Sequence, residues 1–198
     1  MKLYHLATAL LATATLAIAA PEVGKPAPAF TLTDSNGKSH SLSDFEGKFV
    51  VLEWVNFGCP FVKKFYDSGA MQKLQEKHTA SDVVWLSICS SAEGKQGFHT
   101  PEELQAKLES VGYKGTGYLL DSDGAVGKAY EARTTPEMFV IDPKGVLVYK
   151  GAIDDKPTPN AEDIAGAKNY VEAAITEAKA GSPVTNAETK SYGCSVKY

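Results

Sequence analysis

Three thiols are the side chains in this 198-residue sequence best suited to covalent chemistry: Cys59, Cys89 and Cys194. Cys59 follows Asn56-Phe57-Gly58 and precedes Pro60-Phe61-Val62, where an apolar run gives way to helical spacing. A thiol at a helix N-terminus meets free backbone N–H groups and the positive end of the helix dipole, and both favour the thiolate. Pro60 suits the first helical position, because it needs no N–H partner and already holds the helical φ. Lys63 and Lys64, one turn on, add positive charge in the same sense. The competing reading is a buried cysteine acting as a small core hydrophobe. Position, charge and Pro60 together favour the nucleophile. An odd cysteine count leaves at least one thiol unpaired or intermolecular, and three cysteines allow three different single bridges.

The elements that must position these groups read as alternating strands and helices. Ala29–Thr33 and Lys38–Leu42 form a hairpin through the turn Asp34-Ser-Asn-Gly37, in which Asn36-Gly37 supplies the positive-φ pair. Lys48–Asn56 is apolar without alternation apart from Glu53, as expected of a central strand covered on both faces. Pro60 to about His78 is helical, with Gly69 as a weak point. Asp82–Ile88 is a second buried strand. Thr100-Pro-Glu-Glu103 opens a helix with a capping box. Tyr118–Asp121 is a strand and Gly124–Ala132 a short helix. Glu137–Ile141 and Gly145–Tyr149 form a second hairpin, Ala161–Ala180 a last helix, and residues 181–198 an irregular tail. The class is α/β, a central mixed sheet flanked by helices.

The stretch Glu53-Trp-Val-Asn-Phe-Gly-Cys-Pro-Phe-Val62 resembles the active-site strand and helix start of the thioredoxin superfamily, nearest to the exported bacterial redoxin, peroxiredoxin-like branch. The resemblance extends over about Val23 to Ala180 and implies a thioredoxin-like fold with an extra N-terminal hairpin, in which Cys59 is the attacking thiol. Glu53 matches the buried acid that assists proton transfer in thioredoxins. Burial raises the pKa of such a carboxylate and suits it to act as a base; a purely structural hydrogen-bonding role is the alternative. Thr134-Thr135-Pro136-Glu137 resembles the segment carrying a cis-proline that faces the nucleophile. A cis bond there offers the Thr135 backbone to an extended substrate; a trans proline opening a strand is the alternative, and the position just before Met138-Phe-Val-Ile141 favours cis.

The departures from the family pattern are specific. The second cysteine of a CxxC pair is replaced by Val62. The threonine and proline that precede a peroxidatic cysteine are replaced by Asn56 and Leu52, and their arginine would align near Pro136, while the single arginine is Arg133. Asn56 remains a candidate donor to a peroxide. Copper-delivering relatives use Cys-x-x-x-Cys, but Lys63 stands at the second position, and His78 and His99 read as surface histidines, so no metal or other cofactor is expected. A cycling Cys59 needs a resolving thiol. Cys194, in the tail Tyr192-Gly-Cys-Ser195, is favoured over Cys89 because a mobile tail can approach and leave.

Residues 1–19 read as a signal peptide, with a positive start, an uncharged run Leu6–Ala20 and Ala17-Ile-Ala19 before the cut. The run is short of the roughly 20 apolar residues that span a bilayer. Expected divisions are therefore 1–19 signal, 20–180 redoxin domain and 181–198 tail, with a periplasmic or secreted destination and no stable membrane anchor after cleavage. Net charge is −4 with a single arginine, which argues against nucleic acid or an anionic membrane as partner. Three functions compete. A thiol–disulfide oxidoreductase would act on a protein or small-molecule disulfide and be served by an envelope reductant. A peroxide reductase would pass through a sulfenic acid. A redox-inert binding module would keep the fold without the chemistry.

Overall fold

The structure is a computed structural model that describes residues 20–198, so the signal-peptide expectation for 1–19 lies outside the described residues. A seven-stranded mixed sheet is built from β1 (Thr31–Asp34), β2 (Ser39–Ser41), β3 (Val50–Trp54), β4 (Val84–Cys89), β5 (Gly117–Leu120), β7 (Glu137–Ile141) and β8 (Leu147–Gly151). Its order is β2-β1-β5-β4-β3-β7-β8. β3, β4 and β5 run parallel, while β7 and β8 complete one side antiparallel and the β1–β2 hairpin completes the other. This is the thioredoxin-like arrangement with an added N-terminal hairpin.

The central strand divides the core as its composition requires. Val51 and Val55 face one cluster, which α1 (Pro60–Asp67), α2 (Ala70–Thr79), α3 (Pro101–Ser110) and α5 (Tyr170–Lys179) cover with residues such as Phe65, Leu74, Leu104 and Val171. Val50, Leu52 and Trp54 face the other cluster, with Phe30, Tyr130 and Phe139. Two buried faces explain why β3 shows no polar alternation. On the second face Trp54 donates to Ser90 Oγ at 3.0 Å, and Ser90 donates to Asp121 at 2.5 Å. Asp121 in turn accepts the Val126 and Gly127 amides that open α4 (Ala125–Ala129).

Two long helices expected from the sequence are each divided. Pro60–His78 splits into α1 and α2 at Gly69, whose φ of 74° is a left-handed conformation that glycine accepts at low cost. Ala161–Ala180 becomes a 3₁₀ segment, Ala161–Gly166, and then α5. Asn169 restarts the helix by accepting the Glu172 amide at 2.9 Å, while the Tyr170 amide turns away to Ile153 O at 2.9 Å. The capping box at Thr100 forms as expected.

The tail, irregular in its spacing, docks on the rest of the fold. At the β8 edge Lys150 N–H donates to Ala187 O and Thr189 N–H donates to Lys150 O, both at 3.1 Å, and Cys194–Ser195 forms β9, antiparallel to β6 (Thr134–Thr135). Farther on, Val196 N–H reaches Arg133 O at 3.0 Å, Ala92 N–H reaches Lys197 O at 2.9 Å, and Tyr198 donates to Ala132 O at 2.7 Å. No helix among the described residues is long and apolar enough to cross a membrane.

Candidate active site

Cys59 caps the N-terminus of α1, with Pro60 at the first helical position. Its side chain is fully buried, at 0% exposure. As a thiol it donates to the Thr135 carbonyl at 3.1 Å. Thr135 is held by its neighbours: Glu137 accepts the Arg133 and Thr134 amides at 2.7 and 3.0 Å, and the Thr135–Pro136 peptide bond is cis. Thr135 is also the direct partner of Cys194 in the β6–β9 ladder. The fold therefore brings Cys59, Thr135 and Cys194 together. All three cysteines are free thiols.

The two facing thiols titrate in opposite directions. Burial pushes the Cys59 pKa up. The neighbouring Cys194 and Thr135 side chains, the Cys194 backbone and the Val62 amide favour the thiolate and outweigh it, and the net shift is down. The Thr135 hydroxyl is buried and has no hydrogen-bond partner among the described residues. Cys194 is pushed up to about 11 by burial, then by its hydrogen bond to Cys59 and the charge there.

Lys64 does not act on Cys59 as its spacing suggests. Its side chain is fully enclosed, 3.5 Å from Asp154 Oδ2, and donates to Lys156 O at 2.9 Å, so its charge is spent on the loop after β8. The Val62 amide at the helix start supplies the local support instead.

Glu53 is completely enclosed on the α1–α2 face of the sheet. It accepts from Tyr66 Oη at 3.0 Å, Ser87 Oγ at 2.8 Å, Trp85 Nε1 at 2.9 Å and Gln75 Nε2 at 3.2 Å. Burial raises its pKa, and the four donors work against that rise. Cys59 is not among its hydrogen-bond partners; the link to the cysteine's helix runs through Tyr66.

Asn56 is buried and committed to backbone. Its Nδ2 donates to Gln96 O at 3.0 Å and its Oδ1 accepts the Gly58 amide at 2.8 Å, which shapes the turn before Cys59. Gln96, unmarked in the sequence, reaches back toward Gly58 O at 3.4 Å. Cys89, at the end of β4, donates to Gly97 O at 3.3 Å. The Arg133 side chain is 79% exposed and lies 3.9 Å from Glu131. His78, expected at the surface, is buried and stacks on Trp85, because α2 packs that flank against the sheet.

Comparison with known proteins places this geometry. The Redoxin family model matches residues 22–169. The thiol-disulfide oxidoreductase ResA of Bacillus subtilis is 34% identical over 125 residues, 63% of this chain and 64% of that protein, so the chain spans less than two thirds of that relative. Peroxiredoxin-2 of Bos taurus is 32% identical over 151 residues, 71% of this chain and 73% of its own. The crystal structure of a hypothetical protein from Sinorhizobium meliloti 1021 superposes with a TM-score of 0.77 at 26% identity, covering 91% of this chain and 96% of that one. The family match spans β3, the helix that Cys59 opens and the Thr135–Pro136 loop, and on that ground this chain belongs to the Redoxin family of thioredoxin-fold proteins.

Proposed function

We propose that the protein is a thiol–disulfide oxidoreductase of the cell envelope, with Cys59 as nucleophile and Cys194 as resolving thiol. The observation that carries this reading is the β6–β9 pairing, which sets Cys194 directly opposite Thr135, whose carbonyl accepts from the Cys59 thiol at 3.1 Å; beside one another, Cys59 has its pKa lowered and Cys194 has its own raised. Cys194 then takes the place of the CxxC cysteine that Val62 replaces. The Cys59 thiolate attacks one sulfur of a protein or small-molecule disulfide, and the other sulfur leaves as a thiolate. The Cys194 thiol, deprotonated, attacks Cys59 Sγ and expels the substrate's remaining thiolate. The substrate gains two electrons, Cys59 and Cys194 become a disulfide, and an envelope dithiol returns them to thiols.

The other site residues take supporting parts. The Thr135 backbone, with Pro136 behind it, is the platform on which the sulfurs meet. Asn56 positions the Phe57–Gly58 turn, since its amide is engaged at both ends. Glu53 holds Tyr66, and with it α1, against the sheet. Export is inferred from residues 1–19. A peroxide reductase needs donors aimed at the nucleophile's oxidant, and Asn56 and Arg133 are directed elsewhere. The kinship with peroxiredoxin-2 is what favours that reading.

Equilibration in glutathione redox buffers, with the bridge located by mass spectrometry, tests the proposal. A Cys59–Cys194 bridge with a potential between about −120 and −270 mV supports it, and one below about −300 mV identifies a permanent staple. Absence of the bridge, or rapid sulfenic acid formation at Cys59 with stoichiometric peroxide and no activity on disulfides, overturns it.

A further inference from the structure

Cys194 reaches Cys59 only if the tail crosses the Thr135 carbonyl in one register. Two residues earlier, Tyr192 makes an unusual set of contacts for a residue in an irregular segment. Its hydroxyl donates to Asp154 Oδ1, and its ring meets Phe61 edge-on with centroids 5.8 Å apart. The Lys64 ammonium lies 5.8 Å from the centre of the same ring.

The partners of that hydroxyl are buried and charged. Asp154 is 2% exposed and also accepts the Lys156 amide at 2.9 Å, while Lys64 is wholly enclosed beside it. A buried ion pair contributes little net stability compared with apolar residues of equal volume, and register is its best-attested use. Here the pair sits on informative elements. Lys64 and Phe61 belong to α1, the helix that Cys59 begins, so Tyr192 ties the tail to the rigid body that carries the nucleophile. The anchors on either side of it, at Lys150, Arg133 and Ala132, tie the tail to sheet and loops instead. Between Tyr192 and Cys194 stands Gly193, where a Cβ would come within 2.0 Å of Thr135 O. The step from anchor to thiol is therefore short and sterically defined.

We propose that Tyr192 is a positioning residue for the resolving step: docked on Lys64–Asp154 and Phe61, it sets Gly193–Cys194 over Cys59 and fixes the effective concentration of the Cys194 thiol. This rests on the oxidoreductase reading given above. It adds that resolution is governed from outside the sulfur pair, and that the docked tail is what seals Cys59 from solvent.

Tyr192→Phe is the test, because it keeps the ring on Phe61 and removes the bond to Asp154. In the full chain, the equilibrium constant for the Cys59–Cys194 bridge against glutathione should fall about tenfold, as expected when effective concentration drops. The rate of Cys59 alkylation by iodoacetamide in the reduced protein should rise by a similar factor. Val171→Ala, in the core under α5, serves as a destabilised control that should lower the melting temperature and leave the bridge equilibrium in place. A Tyr192→Phe equilibrium within twofold of wild type overturns the proposal. Should the wild-type protein form no bridge at all, the oxidoreductase reading fails, and alkylation alone decides the anchor: faster in Tyr192→Phe upholds it, unchanged removes it.

Discussion

Cys194 lies directly opposite Thr135 in the β6–β9 pairing, and the Thr135 carbonyl is also the acceptor for the Cys59 thiol at 3.1 Å. One residue of a short edge strand thus addresses both sulfurs. The tail pairs with that strand as an added strand pairs with a sheet edge. The first two predictions follow from this shared platform.

Removing the Cys194 thiol withdraws the first of the hydrogen bonds that hold the Cys59 pKa down. In Cys194→Ala the midpoint of Cys59 alkylation against pH should move upward. The midpoint is the relevant quantity, because exposure changes the absolute rate as well. An unchanged or lower midpoint would show that the Val62 amide and Thr135 suffice without the tail.

Gly193 combines a φ of 131° with a Cβ position 2.0 Å from Thr135 O. Gly193→Ala should force the β9 pairing apart at a cost of about 1–3 kcal/mol of tail docking. Hydrogen exchange at the Val196 amide, bonded to Arg133 O, reads this directly, since exchange should accelerate as the tail opens. Unaltered protection of that amide would mean the crossing is looser than described.

Glu53 has its pKa raised from an ordinary 4.5, chiefly by burial. An acid whose folded pKa is raised contributes stability that is fully present below its unfolded pKa and is lost as pH rises through the folded value. The Glu53 contribution to stability should therefore fall with pH above about 4.5, and the difference between wild type and Glu53→Gln should show that slope. Glu53→Leu, which strands four buried donors, should cost several kcal/mol at about 1–3 for each unpaired group. Denaturant melts between pH 4 and 8 measure both, and parallel curves for wild type and Glu53→Gln would contradict the expectation.

Lys64 and Asp154 form a buried pair, so losing one member should be worse than losing both. Lys64→Met alone should destabilise by about 3–5 kcal/mol through the uncompensated Asp154 charge. Adding Asp154→Asn should recover most of that loss. The two singles and the double, compared by urea unfolding, form a mutant cycle; additive losses would remove the coupling.

Much of the frame is legible in the residues themselves. The unalternating run around Leu52 predicts a strand buried on both faces, Asn56-Phe-Gly-Cys-Pro60 marks a strand-to-helix turn with a thiol at the helix start, and Thr100 to Glu103 announces a capped helix. These signals are local, because periodicity, proline placement and capping act over a few residues. Helix breaks were harder. Gly69 marks one, but Asn169 restarts α5 only because Ile153 O is present to receive the Tyr170 amide.

The sequence by itself determined that Cys59 would stand at a strand-to-helix turn, and that either of two other cysteines could approach it. Only the tertiary structure decided which of them faces it. β4 runs parallel to β3, as a route for Cys89 requires, yet Cys89 turns to Gly97. Cys194 instead meets Cys59, because β7 inserts beside β3 and carries the Thr134–Thr135 edge to the helix start, where the tail adds to it. Lys64 followed the same logic, reading as a charge for the thiolate by spacing and becoming a partner for Asp154 once the chain had closed around it. Spacing encodes what neighbours along the chain can do; pairings between distant segments depend on sheet order and on which buried groups find partners.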